Sequence, residues 1–148
     1  MQHLPDTLCY LNGEYGPLHE AKVSVLDRGF IFGDGVYEAL PVYGGRLFRF
    51  DEHMARLNRS LGKIRIGNPL SSAEWLERSR RLVAALTAQS GASDQIVYLQ
   101  VTRGVALRDH VMPPDIAPTV FMMVSAMKPP SAEQRHQGVA CISARDFR

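Results

Sequence analysis

The sequence contains few residues of the kinds that staple a small fold or anchor it in a membrane. Among its 148 residues, only two are cysteine, three are lysine and one is tryptophan. Cys9 and Cys141 stand far apart without the spacing of a metal or redox motif, so a reducing, cytoplasmic location is expected. No apolar run approaches the roughly 18–20 residues that a membrane-spanning helix needs. Residues 1–6 also lack the basic and apolar regions of a signal peptide, so no membrane contact is expected.

The charges are nearly balanced, with 17 basic and 15 acidic residues and a formal net charge of +2. Such a balance gives no reason to expect nucleic acid as a partner. Hydrophobic residues make up 45% of the chain and charged residues 22%, values that exclude disordered, collagen-like and coiled-coil proteins. The composition predicts one globular domain that buries enough surface to fold without disulfides or metals.

The common signatures of nucleotide and hydrolase chemistry are missing as well. The sequence has no Walker loop and no serine nucleophile elbow, and the glycines around Asp34 do not form a dinucleotide fingerprint. Its five histidines fit no zinc spacing, so no metal site is expected. The chemistry therefore has to be sought in less generic clusters of polar residues.

Short β-favouring runs dominate the first half of the sequence. Gly44 and Gly45 separate two of them, residues 36–43 and 46–50, and predict a hairpin because a type I′ turn needs positive φ at both central positions. Pro41 lacks a backbone donor and places its strand at a sheet edge or a bulge. Two later runs are apolar enough to predict strands covered on both faces. The further predicted strands are residues 8–11, 21–26, 96–102, 119–124 and 139–145, the third and fourth of these being the apolar pair.

Two helices are predicted in the middle of the chain. The first has an apolar stripe of helical period, with Asp51 as its candidate cap. Ser71 and Glu74 form a capping box that opens the second helix, and Gly91 would end it. This order of strands, helices and strands predicts an α+β fold: a two-layer α/β sandwich with a mostly antiparallel sheet and two main helices on one face.

A connection without any periodic pattern follows the first of the two apolar strands, at residues 104–118. Loops this long in a compact domain are usually functional or disordered. This loop contains Arg108 and His110, a pair that is able to bind a carboxylate. The alternative interpretation is a solvated loop without a ligand.

A second polar cluster combines residues from a strand and a helix. His53 and Arg56 are spaced i,i+3 off the apolar stripe of the first helix, and Glu38 on a preceding strand is able to reach them. An arginine oriented by a His–Glu pair suits a phosphate, because its guanidinium offers a rigid fork of donors. Tyr37 and Ala39 alternate with Glu38 and share the opposite face of that strand. An ordinary surface helix and a tyrosine that only packs are the alternatives.

One stretch resembles the signature opening of a known family. Residues 26–38 read LDRGFIFGDGVYE, and four other stretches agree with the same family in the same order. These are YLNG at 10–13, VYGG at 42–45, EHMARL at 52–57 and YLQVTRG at 98–104. On these residues the sequence resembles the class IV (fold type IV) pyridoxal-phosphate-dependent aminotransferases over practically its whole length. The Arg108-x-His110 motif after YLQVTRG resembles the D-amino-acid (D-alanine) aminotransferases more than the branched-chain enzymes.

The resemblance implies how the cofactor and substrate are bound. Arg56 matches the arginine that binds the phosphate of pyridoxal 5'-phosphate, with Glu38 and His53 networked to it. The positions that match the binding site of the substrate are Tyr37, Arg108 and His110, for the α-carboxylate, and Ala39, a small apolar position that lines the pocket. The implied substrates are small amino acids and 2-oxo acids. Because the Arg-x-His loop of the family reaches into the neighbouring subunit's site, a homodimer is also implied.

The resemblance further implies that part of the active site lies elsewhere. The family needs a lysine that holds the cofactor as a Schiff base, shortly after a stretch that matches residues 145–148. Lys22, Lys63 and Lys128 match no such position, so the lysine is expected just beyond Arg148. Residues 1–148 are thus expected to form the N-terminal domain, with no catalytic residue of their own. The C-terminal domain, which supplies the lysine and an acidic partner for the pyridine nitrogen, is expected to be missing from these residues, and the isolated chain is expected to be inactive.

Three alternatives stay open at this point. In the first alternative the parent enzyme is a branched-chain aminotransferase, and in the second it is an aminodeoxychorismate lyase. In the third, the chain is a non-catalytic module that dimerises or binds a partner, and it would then have no exposed apolar face awaiting a second domain.

Overall fold

The computed structural model describes residues 5–146. Within them, six strands form one antiparallel sheet in the order β2-β1-β6-β5-β3-β4. The strands are β1 (Leu8–Leu11), β2 (Glu14–Pro17), β3 (Gly35–Tyr43), β4 (Arg46–Leu47), β5 (Gln95–Thr102) and β6 (Thr119–Ala126). The helices are α1 (Arg28–Phe32), α2 (Phe50–Lys63), α3 (Ser72–Ser90) and α4 (Ala132–Gln137), with a 3-10 turn at Leu18–Glu20. None of the helices in this part of the chain is both long and apolar enough to cross a membrane.

The two long helices begin and end largely as the sequence predicts. Ser71 accepts a hydrogen bond from the Glu74 backbone and the Glu74 carboxylate accepts one from the Ser71 backbone, which completes the capping box of α3. Gly91 ends α3 with a φ of 72°. The predicted cap of α2 at Asp51 is wrong, because the chain leaves the β4 hairpin through Arg49 in a left-handed conformation and Asp51 already lies in the first turn.

One face of the sheet is covered by α2 and α3. The buried residues of the two helices are Met54, Leu57, Leu61, Trp75, Ser79, Leu82, Val83 and Leu86. They pack against a row of buried sheet residues that includes Leu40, Val97, Leu99 and Met122. This arrangement confirms the predicted two-layer α/β sandwich with two main helices on one face.

The other face of the sheet is open, contrary to the prediction that the two apolar strands are covered on both sides. Along β5, buried and half-buried residues alternate, so that Val97 and Leu99 face the helices while Tyr98 and Gln100 face away. The single helical layer covers only one side. Within the described residues, β5 and β6 are therefore covered by helices on one face only, although their sequences are apolar.

The strand that contains Pro41 is not the predicted edge strand, because β3 lies between β5 and the two-residue strand β4. β5 pairs with β3 along its whole length, whereas β4 pairs only with Val42 and Tyr43. On the β4 side, Pro41 accepts a hydrogen bond from the Phe48 backbone at 2.8 Å. Because the adjoining strand is so short, the missing N–H of Pro41 leaves no ladder bond unmade.

Two predicted strands are not formed. Residues 21–26 are irregular around a turn, and residues 139–145 have no strand structure, although both segments carry apolar side chains. Neither segment lies beside another strand in the described sheet, and Ile142 is 95% exposed. A strand needs a neighbour to complete its ladder of hydrogen bonds, and the local pattern of apolar residues does not supply one.

Candidate active site

Glu38, His53 and Arg56 meet where β3 packs against α2. Side chains alternate along a strand, so Glu38 points to the helix side, and α2 presents His53 and Arg56 from adjacent turns. Arg56 Nε donates to Glu38 Oε1 at 2.7 Å and Arg56 Nη2 donates to Glu38 Oε2 at 2.5 Å, in a bidentate pair. The Glu38 side chain is 2% exposed and that of Arg56 is 58% exposed. A buried carboxylate thus holds the inner edge of an arginine whose outer edge is in solvent.

His53 is the second donor to the buried carboxylate. Its Nδ1 lies 2.8 Å from Glu38 Oε2 and 3.3 Å from Arg56 Nη2. A carboxylate at neutral pH only accepts hydrogen bonds, and a guanidinium only donates them. The shorter contact therefore places a proton on Nδ1, and the longer one is a close approach between two donors.

Glu38 and Arg56 keep their charges at neutral pH. Burial raises the pKa of Glu38, but the hydrogen bonds and charges of Arg56 and His53 outweigh this effect and hold it below its usual range. Glu38 in turn raises the pKa of Arg56. Arg56 Nη1 has no hydrogen-bond partner within residues 5–146. One edge of the guanidinium is consequently free to bind an anion.

A shallow depression of about 240 Å³ lies over this cluster. Its lining residues are Arg49, Glu52, His53, Arg56 and Arg59. Three of these five side chains are arginines, and one of them, Arg49, is paired with Glu52 at 2.9 Å. The depression is therefore positively charged, which favours an anionic group above Arg56.

Tyr37 and Ala39 lie on the open face of the sheet, on the side of β3 opposite to Glu38. The Tyr37 ring stacks on that of Tyr98 at a centroid distance of 5.6 Å, and Ala39 stands opposite Tyr98 in the register of β3 and β5. Tyr98 donates its hydroxyl proton to Gln100 Oε1 at 3.0 Å. Burial and the neighbouring Tyr37 raise the pKa of Tyr98. These side chains form an aromatic and amide surface on the open face of the sheet.

Arg108 and His110 meet at the aromatic ring of Phe32, the last residue of α1. The Arg108 guanidinium carbon lies 5.6 Å from the ring centroid and the His110 ring lies 5.8 Å from it. The two polar side chains therefore share one aromatic support. Among the described residues, no hydrogen bond or ring contact joins Tyr37 to this pair. The predicted residues thus fall into three groups, one on each side of β3 and one at Phe32.

A largely buried ion cluster that was not predicted from the sequence forms around Asp34, just before β3. Asp34 accepts hydrogen bonds from Arg28 Nε at 2.9 Å and from Arg103 Nε and Nη2 at 2.7 and 3.0 Å. The pairing with Arg103 and Arg28 lowers the pKa of Asp34 despite its burial. Arg103 also donates to the carbonyls of Ile64 and Arg65 at the end of α2. The signal for this cluster was present in the charged residues of the LDRGFIFGDGVYE stretch.

The remaining residues of that stretch shape the turn that carries α1. Asp27 accepts a hydrogen bond from the Gly29 backbone at 2.7 Å and another from the Thr119 hydroxyl at 2.6 Å. A Cβ at Gly29 would lie 2.3 Å from a methyl group of Thr102, and one at Gly35 would lie 2.7 Å from the Val101 carbonyl. The glycines are therefore required by the close approach of α1 and β3 to β5.

The segment that carries most of these groups identifies a family of enzymes. Residues 35–148 match the family model described as amino-transferase class IV, and the chain belongs to that family.

Individual members of the family are similar to the chain over most of its length. D-alanine aminotransferase of Staphylococcus aureus strain N315 is 39% identical over 140 residues, which are 94% of this chain and 48% of the relative. The chain therefore spans about half the length of the curated relatives it matches. The structure of 4-amino-4-deoxychorismate lyase from Pseudomonas aeruginosa is 31% identical, with a TM-score of 0.66 over 89% of this chain and 44% of that one.

A third similarity concerns the fold alone. The branched-chain amino acid aminotransferase of Escherichia coli is 22% identical to the chain, with a TM-score of 0.74. The similarity covers 86% of this chain and 42% of that one.

Proposed function

We propose that residues 1–148 are the N-terminal domain of a pyridoxal-phosphate-dependent aminotransferase that exchanges the amino group between D-amino acids, such as D-alanine, and 2-oxo acids. The main support for this proposal is the geometry of Arg56. Glu38 holds its guanidinium through two hydrogen bonds and leaves Nη1 free to bind an anion. The similarity to D-alanine aminotransferases supports the choice of substrate class.

Arg56 would hold the phosphate of the cofactor. A phosphate is bound best by N–H donors that are held in a fixed direction and that no carboxylate already occupies. Glu38 neutralises only the inner edge of the guanidinium, and His53 fixes the carboxylate from the other side. The positive depression above Arg56 supports the same role. Glu38 and His53 then act by orienting Arg56 and not by touching the phosphate.

The α-carboxylate of the substrate would be bound by Arg108, His110 and Tyr37. Arg108 and His110 stand over the Phe32 ring, and the exposed Tyr37 presents its hydroxyl on the open face of the sheet. Ala39 beside Tyr37 leaves room for a small side chain on the substrate. We propose that the chain works as a homodimer in which Arg108 and His110 serve the site of the partner subunit.

When bound, pyridoxal phosphate supplies an electron sink for the bond that breaks at the α-carbon of the substrate. A lysine close to the cofactor is needed to carry the proton to and from the α-carbon of the substrate. Lys63 is the last residue of α2, Lys22 lies in the irregular segment after the 3-10 turn, and Lys128 follows β6. We propose that none of them takes this role, that the lysine belongs to a C-terminal domain and that residues 1–148 alone are inactive.

The exposed apolar side chains favour this proposal over a self-contained binding module. Phe30, Leu107 and Val111 are among the large apolar residues that face solvent at α1 and in the connection between β5 and β6. A module that works alone is expected to leave fewer large apolar side chains in solvent, because extensive exposed apolar surface marks an interface.

The experiment uses the native protein purified from its source cells, with its intact mass determined first. The protein is loaded with pyridoxal phosphate, reduced with borohydride and digested, and the modified lysine is mapped by mass spectrometry. We expect the modified lysine outside residues 1–148 and no D-alanine turnover by these residues alone. Modification of Lys22, Lys63 or Lys128, together with turnover by the 148-residue chain, would contradict the proposal.

A lyase is the second candidate, because a 4-amino-4-deoxychorismate lyase is 31% identical to the chain. The same preparation of native protein distinguishes the candidates when it is assayed with D-alanine, L-leucine and aminodeoxychorismate. We expect turnover of D-alanine. Pyruvate release from aminodeoxychorismate without D-alanine turnover would support the lyase, and turnover of L-leucine alone would support a branched-chain aminotransferase.

A further inference from the structure

The connection between β5 and β6 is tied to the rest of the fold at its start and at its tip. Near its start, Val105 forms an isolated bridge with Asp27, and the Ala106 backbone donates to the Leu26 carbonyl at 3.4 Å. The tip beyond Ala106 carries Arg108 and His110. There, Arg28 Nη1 donates to the Asp109 carbonyl at 2.9 Å.

Arg28 is held rigidly enough to act as an anchor. Its side chain is 5% exposed, and its Nε donates to Asp34, a carboxylate that Arg103 also binds. The Arg28 guanidinium carbon lies 4.7 Å from the centre of the Phe32 ring. Because Phe32 also supports Arg108 and His110, one arginine touches both the backbone and the aromatic support of the tip.

We propose that Arg28 is a positioning residue for the Arg108–His110 pair. It acts through the carbonyl of Asp109, the residue between Arg108 and His110 in the sequence. By holding this carbonyl, Arg28 orients the backbone from which both side chains extend. The inference rests on the proposed function, in which the pair binds the substrate carboxylate. The anchor belongs to the same chain as the pair, so it sets their arrangement whichever subunit's site they serve.

The geometry requires arginine at this position. One fork of donors reaches Asp34 and the Asp109 carbonyl at the same time, each at 2.9 Å. A lysine presents its three N–H donors from one atom, so it does not reproduce the two separate donor positions of the Arg28 fork. We therefore expect Arg28→Lys to keep a positive charge beside Asp34 and to break the hydrogen bond to the tip.

The test is NMR of the 148-residue chain, comparing Arg28→Lys with the matched control Arg103→Lys. Both variants remove an arginine from Asp34, but Arg103 makes its other hydrogen bonds with the end of α2 and none with the tip. The readouts are the amide order parameters of residues 107–111 and the NOE between the rings of Phe32 and His110. Order parameters near about 0.85 mark rigid backbone and values below about 0.6 mark flexible backbone.

In Arg28→Lys we expect the order parameters of the tip to fall below about 0.6 and the ring NOE to disappear, with β5 and β6 unchanged. In Arg103→Lys both readouts should keep their wild-type values. A tip that is flexible in the wild type, or that moves equally in both variants, overturns the positioning role. The proposed function is tested separately, by the lysine mapping and the substrate assays of the native protein, whereas the positioning role is decided by the order parameters and the NOE.

Discussion

At the scale of single residues, Glu38 determines what Arg56 is able to do. An exposed arginine on a helix is ordinarily a solvated charge with many rotamers. Here the two oxygens of a buried carboxylate take two of its donors and fix the plane of the guanidinium. His53 occupies the remaining side of that carboxylate. The free edge of Arg56 is thereby pre-oriented, which reduces the entropy that an anion has to overcome on binding.

The first prediction concerns the charge of Glu38. Glu38→Gln keeps the shape of the side chain but removes the charge, and it replaces one of the two acceptor oxygens by an NH2 group that faces the donors of Arg56 and His53. We expect the free energy of unfolding to fall by about 1.5–3 kcal/mol, the range for hydrogen bonds to charged groups. The measurement is urea denaturation at pH 7. Glu52→Gln is the control, because Glu52 pairs with Arg49 in solvent and its loss should change stability little. Equal effects of the two changes would contradict the structural role of Glu38.

At the scale of elements, the turn into β3 depends on glycines that let three segments approach closely. Gly35 begins β3 opposite Thr102, and the Val101 carbonyl would lie 2.7 Å from a Cβ at this position. That neighbour is backbone in a central strand, so it cannot move aside as a flexible side chain would. At Gly62, near the end of α2, a Cβ would meet no neighbouring atom within 4 Å. Glycine is therefore required by a close contact at position 35, whereas no contact requires it at position 62.

The second prediction compares alanine at these two glycines. Gly35→Ala should lower the free energy of unfolding by about 1–3 kcal/mol, because the added methyl group overpacks the contact between β3 and β5. Gly62→Ala should raise it by about 0.5–1 kcal/mol, since alanine favours helix where nothing obstructs it. Urea denaturation of both variants measures the difference. A Gly35→Ala variant as stable as the wild type would show that β3 does not lie this close to β5.

At the scale of the whole molecule, buried carboxylates connect the sheet to its surroundings. Asp34 joins α1 and the end of α2 through Arg28 and Arg103, and Glu38 joins β3 to α2. Both carboxyl groups have a pKa below the usual range in the folded chain. In the unfolded chain they titrate near their ordinary values of about 3.9 and 4.3. Protons therefore bind the unfolded state more readily, and acid favours unfolding.

The third prediction is the resulting dependence of stability on pH. The contribution of each carboxylate is fully present above its unfolded pKa and is lost as the pH falls through the lower folded pKa. We expect the urea midpoint to be level between about pH 7 and pH 5 and to fall steadily below about pH 4.5. Glu38→Gln should lose less stability over the acid range than the wild type, since it lacks one of the depressed carboxylates. Parallel curves for the two proteins would assign the acid transition to other groups.

Some parts of the fold and of the candidate site were predictable from the sequence, and others were not. The periods of α2 and α3, the capping box at Ser71 and the hairpin glycines were sufficient for the two-layer fold, because each depends on residues a few positions apart. The cluster at Glu38 was predictable in outline, because strand alternation and the i,i+3 spacing of His53 and Arg56 restrict their directions. The strand predicted at residues 139–145 was wrong, because pairing depends on a neighbour that the local pattern does not specify.

The order of amino acids was enough to assign the two long helices, the main strands and the family, since local periodicity and a run of characteristic residues are read without knowledge of packing. The three-dimensional fold was needed to show that one sheet face stays open and that Arg28 reaches Asp109 across 81 positions of the chain. It was also needed to show that Asp34 gathers Arg28 and Arg103, of which Arg103 lies 69 positions away. Contacts over such separations follow from how the strands are ordered in the sheet, because side-chain direction is local whereas side-chain partnership is set by packing.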